Sequence, residues 1–256
     1  MSSFVITGTS RGIGLELATQ LLQLPKSEVS YIFAVTRSGP SSQLQDLLKQ
    51  HQGRLINIII QDLADHDRVA AAVSEIEKAL PSGQGIDYLV NNAGIMPWNS
   101  TISAAKREVL LDCFNVNVVA AHTLTAALIP LLSKGVKKTV MNVSTAMGSI
   151  AYAPRYDFAR TPEYKISKAA MNMLTAQYAL EYAGEGFTFL AISPGWVKTD
   201  LGGPSGDLEV SAAVQSIREI LCRGGKERNG KFYNVKVQGW EDAEGPNQYD
   251  GREIPW

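Results

Sequence analysis

Seven short runs of β-branched and aromatic residues alternate along this chain with longer stretches of helical periodicity, and that alternation leaves few folds open. The runs are Phe4–Thr7, Tyr31–Thr36, Leu55–Gln61, Tyr88–Asn91, Thr139–Ser144, Phe187–Ser193 and Lys231–Val237. Several are apolar on both faces, which is how a strand reads when helices cover it from both sides. Helical patterns fill the intervals at about Ile13–Leu24, Ser41–His51, Asp65–Leu80, Ala104–Leu132, Glu163–Tyr182 and Ser211–Arg223. Repeated strand-helix units of this kind build a parallel sheet. The expected class is therefore α/β: a doubly wound, seven-stranded parallel sheet flanked by helices on both faces.

At 256 residues, with no internal repeat and no linker, residues 1–256 are expected to form one domain with a sizeable core, and 240–256, rich in Gly, Pro and acidic residues, a C-terminal tail. A net charge of −1 leaves no electrostatic footprint for nucleic acid or an anionic membrane, so a small-molecule partner is expected. Cys113 and Cys222 are far apart and, like His51, His66 and His122, follow no ligand spacing; free thiols and no metal site are expected. The chain enters its first strand by Phe4 with no basic or long apolar stretch before it, and no uninterrupted apolar run reaches the ~18 residues of a membrane span. A cytoplasmic protein is expected.

The first strand ends at Thr7 and is followed by Gly8-Thr9-Ser10-Arg11-Gly12-Ile13-Gly14, with a helix opening near Ile13. Strand, glycine turn and helix in that order form the first unit of a Rossmann-type dinucleotide-binding sheet. Gly8, Gly12 and Gly14 admit backbone geometry closed to other residues and let a pyrophosphate approach the helix N-terminus, whose free N–H groups attract anions. At the end of the second strand an acidic residue would bond the ribose hydroxyls of NAD, whereas arginine suits the 2′-phosphate of NADP. Here the run is Thr36-Arg37-Ser38, and Arg11 is a second forked cation in the turn, so NADP is the expected cofactor. Asp62 and Leu63 follow the third strand and Asn91-Asn92-Ala93-Gly94 the fourth, at the strand ends where ligands of open α/β sheets bind.

One Tyr-x-x-x-Lys spacing occurs, Tyr164 to Lys168, on a helix with Thr161 as the expected N-cap and Pro162 at its first position. The two side chains project from one helix face, one turn apart. Alone they would pass for a packing residue and a solvated charge; beside the glycine turn they read as a redox site.

Together these motifs resemble the short-chain dehydrogenase/reductase family, single-domain type, from Thr7 to about Asp200 and in the family's order. The resemblance implies Tyr164 as acid/base, Lys168 as its electrostatic partner, and Asn117 of Asn115-Val116-Asn117-Val118 as support for a proton-relay water. It also implies that Pro194-Gly195-Trp196-Val197-Lys198-Thr199-Asp200 lines the nicotinamide, with Val197 and Thr199 at the carboxamide. Where the family's Asn-x-Ser-Ser run places a substrate-orienting serine, Asn142-Val143-Ser144-Thr145 has Thr145, with Ser144 as the alternative. Thr145 and Tyr164 lie nineteen residues apart, more than is usual in the family, and the added stretch around Tyr152–Pro162 is expected to border the substrate mouth. Within the family the chain most resembles the sniffer and C-signal type of carbonyl reductase and the fungal norsolorinic acid ketoreductase.

The implied activity is NADPH-dependent reduction of a ketone or aldehyde, on a bulky or aromatic substrate. Lys168, together with the positive charge of the oxidised nicotinamide, is expected to lower the pKa of the Tyr164 phenol from its ordinary value of about 10. Pairing of the helices near Ala104–Leu132 and Glu163–Tyr182 would give a homodimer or homotetramer. Two other readings are a catalytically silent NADP-binding regulator and a non-redox biosynthetic enzyme on the same scaffold.

Overall fold

The computed structural model describes residues 1–98 and 100–256. Its sheet has seven parallel strands in the order β3-β2-β1-β4-β5-β6-β7: β1 Ser2–Thr7, β2 Val29–Thr36, β3 Leu55–Ile59, β4 Tyr88–Asn91, β5 Thr139–Val143, β6 Thr188–Ser193 and β7 Lys231–Asn234. All seven expected strands form. Three end earlier than the apolar runs suggest, because Ile60, Ser144 and Val235 each give the sheet one last backbone bond before the chain turns away.

Alternation along each strand divides the core. Phe4 and Ile6 belong to the apolar cluster with Leu17, Leu21, Leu44 and Ile217, while Val5 between them belongs to the opposite one with Ile76, Leu128 and Phe189. Period-two side-chain direction therefore covers both faces of the sheet, as the runs predict. Helices α1 (Gly12–Leu22), α2 (Ser42–Gln50) and α7 (Val210–Cys222) contribute to the first layer. Helices α3 (His66–Ala79), α5 (Ala120–Lys134) and α6 (Pro162–Glu181) contribute to the second.

The helical pattern expected over 104–132 forms from Arg107 onward as one continuous run interrupted in phase by a π-helical turn. Helix α4 (Arg107–Phe114) passes into a π-helical turn, Asn115–Val119, before α5 begins. By length and composition Arg107–Lys134 could cross a membrane, but half of its most apolar window is buried inside the fold.

One expectation needs correction. Thr161 holds the N-cap position of α6, yet its hydroxyl makes no capping bond and is buried without a partner. Pro162 does open the helix, where its missing N–H costs nothing. The 240–256 segment is an ordered C-terminal return. It returns antiparallel beside β7, pairing Lys236 with Asp250 and Tyr233 with Glu253, and its Trp256 ring stacks on Phe232 with centroids 5.4 Å apart.

The strand order reverses between β1 and β4. At that switch point the loops after β1, β4, β5 and β6 share one edge of the sheet.

Candidate active site

Helix α6 carries Tyr164 and Lys168 on its buried side. The loop after β5 lies directly against it, because a Cβ on Gly148 would come within 2.8 Å of Lys168 Cβ. The Lys168 ammonium donates to the carbonyl of Val143 at 2.7 Å and sits 5.7 Å from the centroid of the Tyr164 ring. A Cβ on Gly94 would meet Asn117 Oδ1 at 3.0 Å and Lys168 Nζ at 3.7 Å, so the loop after β4 closes the same space.

Asn117, fully buried in the π-helical turn, joins these elements. Its Oδ1 accepts from the Ile95 N–H at 2.9 Å, and its Nδ2 donates to the Ile95 carbonyl at 3.0 Å and to Ser167 Oγ at 2.9 Å. Ser167 in turn donates to the Tyr164 carbonyl at 2.8 Å. Sequence reasoning missed Ser167; its signal is its place three residues after Tyr164, within reach of that carbonyl.

Burial dominates the electrostatics. It pushes the Tyr164 phenol above its ordinary range, with the neighbouring Cys113 adding to the rise, and it pushes the Lys168 ammonium down to about 8. The expected lowering of the phenol by Lys168 is therefore not met by the protein's own groups. No hydrogen bond joins the two side chains among the described residues, and the loss of hydration outweighs their attraction. Cys113 is pushed up to about 11, by burial first and then by the charges of Glu163 and Asp112.

After β5 the two hydroxyls divide. Ser144 is buried and donates to Asn172 Oδ1 at 2.6 Å, so its proton is committed to packing. Thr145 is half-buried, and its oxygen accepts from the Met147 N–H at 3.3 Å while keeping its own proton. Of the pair, Thr145 is the one able to donate into the cleft.

The glycine turn is shaped for a dinucleotide. Gly8 (φ 69°) and Gly12 (φ 57°) occupy the left-handed region, and a Cβ on Gly14 would strike the Gly8 carbonyl at 2.4 Å. Thr7 Oγ1 braces the turn by accepting from the N–H groups of Asn92 and Ala93, both at 2.9 Å. Helix α1 starts at Gly12 with no side chain capping it, so its N-terminal N–H groups are open to an anion beside Ser10 and Ile13. Asn91 donates to Asn142 and Thr125 across β4, β5 and α5, and its Oδ1 is buried without a partner. It borders a small recess together with Thr7, Leu63, Ala93, Val116 and Ala120.

Arg37 is exposed at the end of β2, and exposed Asp62 holds the Ala64 N–H at 2.9 Å. Arg11 is paired with Asp200 at 3.0 Å, which draws the glycine turn toward the loop after β6. In that loop Pro194 and Val197 are buried, Gly195 has φ 80°, and Thr199 Cγ2 lies 3.3 Å from where a Gly12 Cβ would stand. The loops bearing the expected cofactor residues thus gather along one edge of the sheet. Two left-handed glycines, an uncapped helix N-terminus and two exposed arginines fit a phosphorylated dinucleotide.

Comparison with known proteins agrees with this geometry. The pattern of the short chain dehydrogenase family matches residues 3–209. The short-chain dehydrogenase/reductase atnB of an Arthrinium species is 32% identical over 209 residues, covering 78% of this chain and 76% of that protein. The carbonyl reductase Sniffer of D. melanogaster superposes with a TM-score of 0.86 at 32% identity, covering all of both chains. The NADPH-bound carbonyl reductase from chicken fatty liver gives a TM-score of 0.86 at 28% identity, covering 100% of this chain and 94% of that one.

Proposed function

Because the chain belongs to the short-chain dehydrogenase family, we propose that this oxidoreductase is an NADPH-dependent carbonyl reductase, reducing the ketone or aldehyde of a bulky, apolar substrate to the alcohol. The observation that carries this reading is the buried Tyr164 phenol beside the buried Lys168 ammonium, at the sheet edge where the glycine turn lies.

When bound, NADPH supplies the hydride that reaches the carbonyl carbon. Gly8, Ser10, Arg11, Gly12, Ile13 and Gly14 would hold its pyrophosphate, and Arg37 with Arg11 its 2′-phosphate. Asp62, Leu63, Asn91, Ala93 and Gly94 would take the adenosine half, and Pro194, Gly195, Val197 and Thr199 the nicotinamide half. Tyr164 holds the proton that the carbonyl oxygen receives. A phenol raised by burial stays protonated across neutral pH, which suits a donor in the reducing direction. Thr145 donates a second hydrogen bond to the same oxygen and opposes the charge that develops there. Lys168, fixed on the Val143 carbonyl, offers its remaining protons to the nicotinamide ribose and keeps a positive charge close to the phenol. Asn117 holds the Ile95 backbone and Ser167 in register and so keeps the proton path in place.

Apolar side chains at the mouth support a bulky, aromatic substrate. Trp98, Phe158 and Trp196 are 47%, 63% and 37% exposed, and the Ser100 N–H bonded to the Arg160 carbonyl at 3.1 Å joins the first two loops. Exposed Leu111 and Phe114 on α4, with Ile166 and Met173 on α6, support pairing of two copies through these helices.

The test is NADPH oxidation, with the alcohol product identified by mass spectrometry, on a panel of quinones, diketones and aromatic ketones. Reduction of at least one class, lost in Tyr164→Phe, is expected. Substrate conversion without net NADPH oxidation would establish the non-redox alternative instead.

A further inference from the structure

Tyr249 lies outside the matched family segment, yet it sits on the loop assigned above to the nicotinamide. A Cβ on Gly195 would come within 2.9 Å of Tyr249 Cε1 and 2.7 Å of Leu208 Cδ1, so the buried phenol ring packs on bare backbone. Tyr249 Oη accepts from the Trp196 N–H at 3.1 Å and donates to Asp207 Oδ2 at 2.5 Å. The same carboxylate oxygen accepts from Asn247 Nδ2 at 2.7 Å. Asp207 in turn adjoins Leu208, which pairs with this loop through Leu208 N–H to the Trp196 carbonyl (3.0 Å) and Lys198 N–H to the Leu208 carbonyl (2.9 Å).

The segment bearing Tyr249 is itself anchored. Val237 donates to the Tyr249 carbonyl at 2.9 Å, and Tyr249 donates to the Trp240 carbonyl at 3.0 Å. Its neighbours reach the opposite wall of the cleft, where Tyr156 Oη donates to the Pro246 carbonyl at 3.1 Å and Arg155 Nη2 to Gln248 Oε1 at 3.3 Å.

Resting on the NADPH reading above, we propose that Tyr249 and Asp207 are positioning residues that hold the 194–208 loop ready for the nicotinamide half of the cofactor. The C-terminal return is then part of the cofactor site. Without the phenol oxygen the Trp196 N–H and Asp207 both lose a buried partner, and the loop spends less time in its binding shape. Apparent affinity falls in proportion to the fraction of molecules that retain that shape. The effect belongs to ligands that touch this loop. A ligand filling only the adenosine half should not feel it.

Fluorescence titrations of wild type, Tyr249→Phe, Asp207→Asn and Tyr156→Phe with NADPH and with adenosine 2′,5′-bisphosphate separate these cases. Wild type binding neither ligand would overturn the cofactor reading and this proposal with it. With wild type binding both, Tyr249→Phe is expected to raise the Kd for NADPH about tenfold and leave the bisphosphate unchanged, the loss expected for one hydrogen bond to a charged group. Asp207→Asn keeps an accepting oxygen and Tyr156→Phe loosens the same segment from farther away, so both should fall between wild type and Tyr249→Phe for NADPH and leave the bisphosphate unchanged. Equal losses for the two ligands in Tyr249→Phe, or none for NADPH, would overturn the proposal. Amide exchange in wild type keeps the test decisive should the variant misfold: the Trp196 N–H must exchange slowly in the free protein, and fast exchange would also overturn it.

Discussion

Lys168 gives its ammonium to the backbone carbonyl of Val143, 2.7 Å away, and not to the hydroxyl of Tyr164. The contact ties the working face of α6 to the end of strand β5. It also keeps a charge in a space that burial makes costly, and this has a signature in pH. Folded, Lys168 loses its proton near 8; unfolded, it keeps it to about 10.5. Between those values the unfolded chain binds more protons, so stability attributable to this group rises with pH. Below 8 both states are charged and the desolvation cost is fully present. Relative to Lys168→Met, wild type should gain up to about 3 kcal/mol between pH 7 and pH 10.5. Denaturant midpoints of both proteins across that range check it; a constant difference would contradict it.

Tyr164→Phe removes the proton donor and little else, since the phenol is held in place by burial. Turnover should fall at least about a hundredfold. The Kd for NADPH should stay within a factor of about two by direct titration, on the scale where tenfold is about 1.4 kcal/mol. Retained turnover would remove Tyr164 from its role.

The hydroxyls of Ser144 and Thr145 should separate by readout. Ser144→Ala strips Asn172 of a buried donor and should cost about 1–3 kcal/mol of stability. Thr145→Ala leaves stability within about 0.5 kcal/mol but lowers kcat roughly tenfold or more, as a lost oxyanion donor does. Thermal melts and steady-state kinetics on the two variants decide the assignment.

Arg37→Asp places a carboxylate where a 2′-phosphate is expected. The Kd for NADPH should rise about ten- to a hundredfold while that for NADH holds or improves. Raising salt should weaken NADPH binding to wild type more than to the variant. Equal affinity of the variant for NADPH would show that Arg11 alone reads the phosphate.

Thr161→Val replaces a buried hydroxyl that bonds to nothing with a side chain of the same shape. Because no cap is lost, the protein should be stabilised by about 1 kcal/mol, read as a higher denaturation midpoint with unchanged slope. A loss of similar size would mean that the hydroxyl has a partner after all.

Most of the framework was legible in the residues because it depends on local pattern. Alternating apolar runs set seven strands, and the glycine spacing placed the phosphate turn at the switch point. Tyr164 and Lys168 share a face because the helical pattern defined their register, whereas Asn117 reaches them from a π-helical turn that the pattern did not show. What escaped depends on contacts between distant segments. Nothing local says that Lys168 bonds Val143, that Ser144 is consumed by Asn172, or that the Thr161 hydroxyl makes no capping bond. The final segment, rich in Gly, Pro and acidic residues, carries no regular pattern of its own, and its order comes from β7 and from Phe232 beneath Trp256. The family resemblance supplied roles for the site residues, and the bond from Ser144 to Asn172 supports proposing Thr145 as the substrate-orienting hydroxyl.

The wide turn at Asn115–Val119 puts the two halves of the long helix out of phase. It takes up one residue beyond an ordinary turn, a rotation of about 100°. Upstream, α4 packs against α6; downstream, α5 packs against α3, β4 and β5. Deleting a single residue there would restore a regular helix and swing Asn117 or its neighbours off their partners. Length in this stretch is therefore as constrained as chemistry, and a variant library should hold its residue count fixed even where it varies side chains freely.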